Sequence, residues 1–590
     1  MKRTSMILML LALATSWVYA DVTFHNVTNL LPNAGGAAGT VAWGDVNSDG
    51  NPDLFVGGLD AAAGKLYLNV NGTFADVTGH YGIPDYCTRR IRSAEFLDYN
   101  NDGRLDLFLL TNDTHGLWLL RQTSNAQFVP VNVLNGTSVN GTIRGAVWTD
   151  VDQDGYLDLV ISNVESAHAP MVVIQQAEHS EFVEMRDNPW ENDLSGVGVI
   201  SLMDFDRDGD QDIFFGSYDP AFEPRFYRNE GDDYTDLSER FGMRPKLGAT
   251  GVAWADFDND QRMDMFVPDY LEHTALFEGV NVNGEDYLAF SNGVRSIRAV
   301  MQPAKYAHAV DVDMNGWPDL FLVNQSGNGC QLLLNTAGEH WVDVARAAQL
   351  PVAEASIPGP TVISAAWADY DRDGDMDVAI AQGADGVQLY SNVIDNHPEF
   401  IALQLYEPYS QIPLSGVNVT MVFERCKRIA TTSPASVGSG YDDRTIILAN
   451  YSDYKSDRAE LVIDWPGNTR QVIDLSELTL NNVNMLYRPS SSEMAEAAAP
   501  QQPLEVADYS ISPNPFNPTT TISFTLNEAA DVQLKLYNLV GQEVAVLANQ
   551  PYAAGVHRVA FNGSNLPSGI YFSRLTAGSV TEMKRMLLTK

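Results

Sequence analysis

One acidic phrase recurs seven times along the chain at nearly equal spacing, and no other feature constrains the fold as tightly. The copies are Asp45-Val-Asn-Ser-Asp-Gly-Asn-Pro-Asp53, Asp98-Tyr-Asn-Asn-Asp-Gly-Arg-Leu-Asp106, Asp150-Val-Asp-Gln-Asp-Gly-Tyr-Leu-Asp158 and Asp204-Phe-Asp-Arg-Asp-Gly-Asp-Gln-Asp212, followed by Asp256-Phe-Asp-Asn-Asp-Gln-Arg-Met-Asp264, Asp311-Val-Asp-Met-Asn-Gly-Trp-Pro-Asp319 and Asp369-Tyr-Asp-Arg-Asp-Gly-Asp-Met-Asp377. Their first residues lie 53, 52, 54, 52, 55 and 58 positions apart, by difference of the residue numbers. A fixed period of this length means a repeated structural unit, each copy leaning on the next.

Within the phrase, oxygen-bearing side chains alternate with other residues. Position 1 is Asp45, Asp98, Asp150, Asp204, Asp256, Asp311 and Asp369; position 3 is Asn47, Asn100, Asp152, Asp206, Asp258, Asp313 and Asp371. Position 5 is Asp49, Asp102, Asp154, Asp208, Asp260, Asn315 and Asp373, and position 9 is Asp53, Asp106, Asp158, Asp212, Asp264, Asp319 and Asp377. In a tight turn these oxygens converge, and position 7 (Asn51, Arg104, Tyr156, Asp210, Arg262, Trp317, Asp375) can add a backbone carbonyl. Six to eight hard oxygen ligands on a flexible loop suit Ca²⁺; Mg²⁺ takes fewer protein ligands and keeps its waters. The helical twelve-residue calcium hand is excluded, because it needs a Glu at position 12. Here position 12 is Val56, Leu109, Ile161, Phe215, Val267, Leu322 or Ile380. Up to seven Ca²⁺ are expected. Gln261 stands where the other loops have the turn glycine, so the fifth loop is expected to be strained at that point.

Each loop is flanked by apolar runs. Small residues alternate with larger ones before it, as in Gly-Thr-Val-Ala-Trp43, and near-continuous runs such as Leu54-Phe-Val follow it. Third and fourth strands follow, as in Lys65-Leu-Tyr-Leu-Asn69 and Phe74-Ala-Asp-Val77. Four short strands per unit of about 50 residues is the pattern of a propeller blade. The seventh unit lacks its fourth strand, and Phe24-His-Asn-Val27 supplies the missing phrase at the other end. The expectation is a seven-bladed β-propeller over residues 21–396, closed by its N-terminal strand. Trp43, Trp148, Trp254 and Trp367 recur at one register before the loops, which reads as blade core rather than a sugar platform.

The repeats resemble the FG-GAP/VCBS repeats of the integrin α-subunit propeller, which carry the same D-x-[DN]-x-[DN]-G-x-x-D spacing. That resemblance implies calcium in a hairpin between the first two strands of each blade, and implies nothing about an integrin partner. Residues 397–488, with Phe400-Ile-Ala-Leu-Gln-Leu405, Gly416-Val-Asn-Val-Thr-Met-Val-Phe423, Gly438-Ser-Gly-Tyr441 and Ala459-Glu-Leu-Val-Ile-Asp-Trp-Pro-Gly467, resemble the ASPIC/UnbV domain, a small β domain that follows such propellers. After Tyr441 this chain has Asp442-Asp-Arg in place of the usual Ser-Gln. A low-complexity linker occupies 489–507. Beyond it, Ser512-Pro-Asn-Pro-Phe-Asn-Pro, Leu536-Tyr-Asn-Leu-Val-Gly-Gln-Glu-Val544 and Leu566-Pro-Ser-Gly-Ile-Tyr-Phe make 508–590 similar to the C-terminal sorting domain of the type IX secretion system, an Ig-like sandwich. The resemblance implies a Gram-negative cell, passage across the outer membrane with that machinery as partner, and attachment at the surface.

Residues 1–20, with Lys2, Arg3, an apolar stretch and Val18-Tyr-Ala20, read as a secretory signal peptide, with no later stretch apolar enough to span a membrane. The formal net charge of −40 argues against binding to nucleic acid or an anionic bilayer. Three cysteines (Cys87, Cys330, Cys426) are too few for a disulfide framework. Two functions follow from these residues: a secreted or surface calcium-binding adhesion module for an extracellular protein or glycan, or an extracellular propeller enzyme acting on polysaccharide. The ten histidines are scattered, and no His-Glu-x-x-His, Gly-x-Ser-x-Gly or phosphate loop occurs, so no catalytic residue is assigned.

Overall fold

In this computed structural model the described residues are 22–590 apart from 113–115, 135–142, 152–155, 164–169, 177–181, 186–189, 191–196, 209, 217–222, 231–232, 244–248, 250, 269–273, 283–284, 291–300, 325–327, 337, 339, 353–360, 395–398, 407–417, 424–426, 432–441, 443–444, 451–458, 466–468, 490–505, 527–529, 539–542, 553–554 and 578–579. Residues 1–20, where a signal peptide is expected, lie outside the described residues. Among the described residues no helix is long and apolar enough to cross a membrane.

Seven four-stranded antiparallel sheets follow the acidic repeat. In the first, Ala38–Gly44 pairs with Asp53–Gly58, which pairs with Lys65–Val70 and then Thr73–Asp76. The second is built in the same way from Ile91–Leu97, Asp106–Thr111, Leu117–Gln122 and Phe128–Val131. The acidic phrase always bridges the first two strands, and position 12 falls in the second strand with its side chain buried. That strand is covered on both faces, which is why it reads as continuous apolar residues.

The sheets are the blades of a propeller, and neighbouring blades meet through aromatic residues on their innermost strands. Trp43 donates its indole N–H to the Ala366 carbonyl at 3.1 Å and stacks on Tyr370 with ring centroids 6.4 Å apart. Trp254 donates to Ser201 Oγ at 3.0 Å, and Trp367 meets Phe321 edge-on at 5.3 Å. All four repeated tryptophans are buried, as blade core requires. Small residues such as Gly39 and Gly44 let the innermost strands approach: a Cβ on Gly39 would lie 2.5 Å from the Ile91 carbonyl oxygen of the next blade.

Closure is made by the N-terminal segment. Thr23–Asn26 pairs with Val387–Val393, giving the last sheet its outer strand. Phe24 is buried against Trp367 at 5.9 Å, edge to face, and its amide donates to the Ala348 carbonyl at 3.0 Å. This pairing covers the edge of Val387–Val393 that would otherwise be left open.

Residues 399–487 form two small sheets, one holding the parallel pair Glu399–Tyr406 and Val483–Tyr487, the other Asn418–Phe423 between Lys427–Thr431 and Ala459–Trp465. This domain forms one compact unit with the propeller. Phe400 lies so close over Gly374 of the seventh loop that a Cβ there would stand 2.0 Å from its ring, and it packs with Met314 of the sixth loop. Asp442 bridges two blades: Oδ1 accepts the Trp367 backbone N–H at 2.8 Å, and Oδ2 lies 3.2 Å from Nδ1 of His308. The departure at Asp442 from the usual loop sequence therefore has a structural use, satisfying an amide on an innermost strand.

Pro489–Lys590 is a separate unit. Its sheets, Val506–Ser512/Thr519–Leu526/Gly555–Asn562 and Glu543–Tyr552/Ala530–Asn538/Gly569–Ala577/Val580–Leu588, make a sandwich around Phe516, Phe524, Leu534 and Leu575. The first strand starts at Val506, two residues before the expected boundary at 508. The Pro-Asn-Pro-Phe phrase pins the last strand: Asn514 donates to the Arg585 carbonyl at 2.7 Å and accepts from Leu587 at 2.8 Å, with Phe516 buried beneath.

Phe24→Ala is expected to cost about 3–5 kcal/mol, the usual loss for a buried Phe side chain. Thermal melts of both proteins in millimolar calcium would measure it; an unchanged melting temperature would mean that the N-terminal strand does not hold the ring.

Candidate metal centre

The loops fold around their first aspartate. Asp45 Oδ1 accepts the Asp49 amide at 3.0 Å and Oδ2 the Gly50 amide at 2.6 Å. The same pair of bonds recurs at Asp98 (3.0 and 2.7 Å), Asp256 (2.9 and 2.8 Å) and Asp311 (3.0 and 2.7 Å). Curling the chain this tightly needs left-handed backbone twice per loop. Position 6 supplies it as Gly50, Gly103, Gly316 and Gly374, with φ from 79 to 96°, and as Gln261 at 74°. Position 4 supplies it as Ser48, Asn101, Arg207, Asn259, Met314 and Arg372, with φ from 54 to 61° except for 53° at Asn101.

Position 9 has two tasks. Asp53, Asp106, Asp158, Asp212, Asp264, Asp319 and Asp377 are buried. In six loops Oδ2 accepts the amide of position 2, at 2.8–3.2 Å. In all seven Oδ1 accepts an amide on the third strand, from Asn69, Gln122, Gln175, Asn229, Gly279, Asn335 or Asn392, at 2.7–2.8 Å. This aspartate staples loop to blade whether or not it also faces a cation.

Four loops bring three carboxylates together, with one oxygen from each lying within 4.8 Å of the others: Asp204/Asp206/Asp212, Asp256/Asp258/Asp260, Asp311/Asp313/Asp319 and Asp369/Asp371/Asp377. Oδ1 of Asp206 and Oδ1 of Asp369 are buried and take no hydrogen bond, an arrangement that fits a cation and is costly for a bare carboxylate. In the first two loops the third position is an asparagine, and Asn47 and Asn100 each donate to the position 5 carboxylate, at 3.0 and 3.1 Å. Position 7 gives its amide to position 5, as from Asn51 (2.8 Å), Asp210 (3.0 Å), Trp317 (2.7 Å) and Asp375 (3.2 Å). Arg104 and Arg262 also pair through their guanidinium groups with Asp102 and Asp260, so a cation competes there with an internal one. Asp152 and Asp154 of the third loop lie outside the described residues, while Asp150, Tyr156 and Asp158 flank them.

Burial first, and crowding after it, shows in the acidities. Burial, the largest cause, pushes Asp53 up to about 8 against backbone hydrogen bonds from Asn69 and Val46, and Asp106 up to about 8 against that from Gln122. Burial followed by the charges of Asp373 and Asp371 takes Asp369 to about 8, and Asp375 reaches about 8 in the same cluster. Asp256 reaches about 7, Asp206 and Asp371 about 6. Asp212, Asp264, Asp319 and Asp377 are held well above the carboxylate range, by burial first.

Sequence reading missed the links between loops. Third-strand side chains donate to the position 2 carbonyl of the preceding blade: Asn69 to Tyr370 (2.7 Å), Gln122 to Val46 (3.0 Å), Asn335 to Phe257 (2.8 Å) and Asn392 to Val312 (2.9 Å). The signal was there, because the residue whose amide meets position 9, 15 to 17 residues further on, is Asn or Gln in six of the seven repeats. Position 4 reaches the following loop: Asn259 donates to the Gly316 carbonyl at 3.1 Å and Arg207 to that of Gln261. Among the described residues these links run from the fourth loop through the seventh and on to the first and second, a connected belt.

Residues 45–109, 98–161, 204–267 and 311–380 match the FG-GAP-like repeat, and residues 510–589 match the secretion system C-terminal sorting domain. Fold and matches together define an exported β-propeller protein, delivered through the type IX system to the cell surface or beyond. The chain is homologous to cartilage acidic protein 1: it is 25% identical to the Mus musculus protein over 237 residues, 38% of this chain and 35% of that one, and 29% identical to the Homo sapiens protein over 133 residues, 21% and 20%. It thus spans about a third or less of the length of the curated relatives it matches. A solved structure of PorZ, an essential bacterial surface component of the type-IX secretion system of Porphyromonas gingivalis, aligns over 94% of this chain and 93% of that one at 13% identity. The TM-score of that alignment is 0.18.

Two outcomes are expected from the loops. Asp319→Asn leaves one acceptor where two buried amides need one each, at a cost of about 1–3 kcal/mol, read as a lower denaturation midpoint. The second concerns pH in chelated protein. The aspartates have an ordinary value of 3.8 and are raised to about 6–8 in the fold, so the folded state holds more protons than the unfolded chain between those limits. Their contribution is fully present below about 3.8 and is lost as pH rises through 6 to 8. With EDTA the melting temperature should fall between pH 5 and pH 8, roughly the window those acidities define; a rise would contradict the assignment.

Proposed function

We propose that the protein is a calcium-stabilised extracellular binding and adhesion module, in which Ca²⁺ is held by side chains at positions 1, 3, 5 and 9 and by the position 7 carbonyl of each loop. The observation that carries this reading is the convergence of three carboxylates within 4.8 Å in four loops of an exported ring. Hard oxygen donors on a short flexible loop select calcium over softer or smaller ions. The Ca²⁺ neutralises carboxylates that otherwise repel, and it binds the folded ring far better than the unfolded chain, so it stabilises by mass action. The part of residues 1–20 is that of a signal peptide, and residues 508–590 serve as the address.

The ring offers recognition through its non-repeating loops, and its rigidity lowers the cost of ordering a binding surface. The ligand is an extracellular protein or glycan. No catalytic step is assigned.

Chelation is expected to lower the melting temperature cooperatively, and millimolar calcium, the affinity range of extracellular modules, should restore it. An equal melting temperature in EDTA and in calcium would sink the calcium assignment. A glycan array probed with residues 21–488, with and without EDTA, tests the rest: calcium-dependent retention supports a binding module, and release of saccharide fragments shows an enzyme instead. Fusion of residues 508–590 to an unrelated exported protein should bring that passenger to the cell surface; a passenger left in the periplasm would show that the segment is not a sufficient address.

A further inference from the structure

Four blades begin their innermost strand with a β-bulge at one and the same register, between Ala38 and Thr40, Ile91 and Ser93, Ile143 and Gly145, and Ala304 and Tyr306. The inserted residues are Gly39, Arg92, Arg144 and Lys305. A bulge re-aims the side chain it carries and often stands beside a functional site. Three of these four residues are cations, in a chain with 36 basic against 76 acidic residues.

The bulges lie at the end of the strand away from the acidic loops. Seven residues of extended chain, such as Ile91–Leu97, put about 20 Å between the two ends. The cations are therefore apart from the carboxylate belt. They also act on one another across the ring. Lys305 is pushed below the usual lysine range by burial and then by the charge of Arg92, and Tyr306 feels both Arg92 and Arg144. Arg92 belongs to the second blade and Lys305 to the sixth, which share no face. The common bulge register on the innermost strands sets Arg92, Arg144 and Lys305 around one end of the central opening.

The second blade adds an oriented guanidinium and an exposed aromatic ring. Arg92 is oriented by Nε donation to Asn112 Oδ1 at 3.0 Å. On the loop leading into its strand, Tyr86 is 61% exposed and rests edge-on against Trp118, ring centroids 5.5 Å apart. An exposed aromatic ring backed by a second one offers a stacking face for a sugar. Guanidinium groups pair with carboxylate or sulfate in a two-point fork.

The geometry points to an anion-binding site at the bulge end of the central opening, where Arg92, Arg144 and Lys305 receive the carboxylate or sulfate of an acidic saccharide whose ring lies on Tyr86. This rests on the reading of the ring as a binding module and names its ligand class. It accounts for cations placed by equivalent bulges in a protein whose overall charge disfavours anions. Carboxylate and sulfate satisfy the same donors.

The test uses the full chain in millimolar calcium, with three disaccharides followed by titration calorimetry: one bearing glucuronate, one bearing a sulfate ester and one neutral. At least one acidic probe should bind, more weakly as salt is raised, and the neutral one should not. Arg92→Gln with Arg144→Gln should weaken that binding about tenfold or more, the cost of one lost charge-assisted hydrogen bond. The melting temperature and its calcium dependence should be unchanged. If the double variant does not fold, Lys305→Gln on the sixth blade serves in its place. Equal binding of neutral and acidic probes, or full affinity in a folded variant, overturns the site. Failure of both acidic probes on a ring that still melts in a calcium-dependent way overturns it too, and leaves the calcium-stabilised ring standing.

Discussion

A buried carboxylate is tolerable only when donors answer its oxygens, and this chain buries one at position 9 of every blade. Each joins the loop to the third strand through backbone amides, at distances near 2.8 Å. The loop can then curl so that positions 1, 3 and 5 face the same point. The cost is a set of carboxylates buried within a few ångströms of each other, visible in acidities raised to about 6–8 by burial first and by the neighbouring carboxylates second. Fold and metal chemistry are therefore one problem: the staple that builds the blade also concentrates the charge that a cation relieves.

The loops do not act one by one. Asn69, Gln122, Asn335 and Asn392 tie each third strand to the preceding loop, and Asn259 and Arg207 reach forward to the next. The small β domain adds a further tie, since Phe400 sits over the sixth and seventh loops and Asp442 spans His308 and Trp367. Those two loops and that domain are packed against each other.

Much of this was legible in the residues. Period and loop spacing gave the blades, the absent fourth strand of the last repeat pointed to Phe24-His-Asn-Val27, and the tryptophan register marked the blade core. The strained turn at Gln261 was also visible, because its glycine is missing; its φ is 74°. Position 4 was not visible. It requires left-handed backbone as much as position 6 does, yet Ser48, Met314 and Arg372 carry no sign of it. The requirement is imposed by the surrounding hydrogen bonds, which over-determine the turn and hold a conformation these residues do not prefer. The bulge cations were equally hidden: Arg92, Arg144 and Lys305 lie far apart in sequence, and only closure of the ring brings them to one opening.

The central claim is that the carboxylate clusters are cation sites which stabilise the ring. Equilibrium dialysis of the purified full chain against radioactive calcium tests it most directly. Several Ca²⁺ per chain, up to seven, should be retained at millimolar free calcium, with the count reduced when position 1 aspartates are changed to asparagine one loop at a time. Retention of no calcium by the folded protein, or a count indifferent to those changes, would contradict the account.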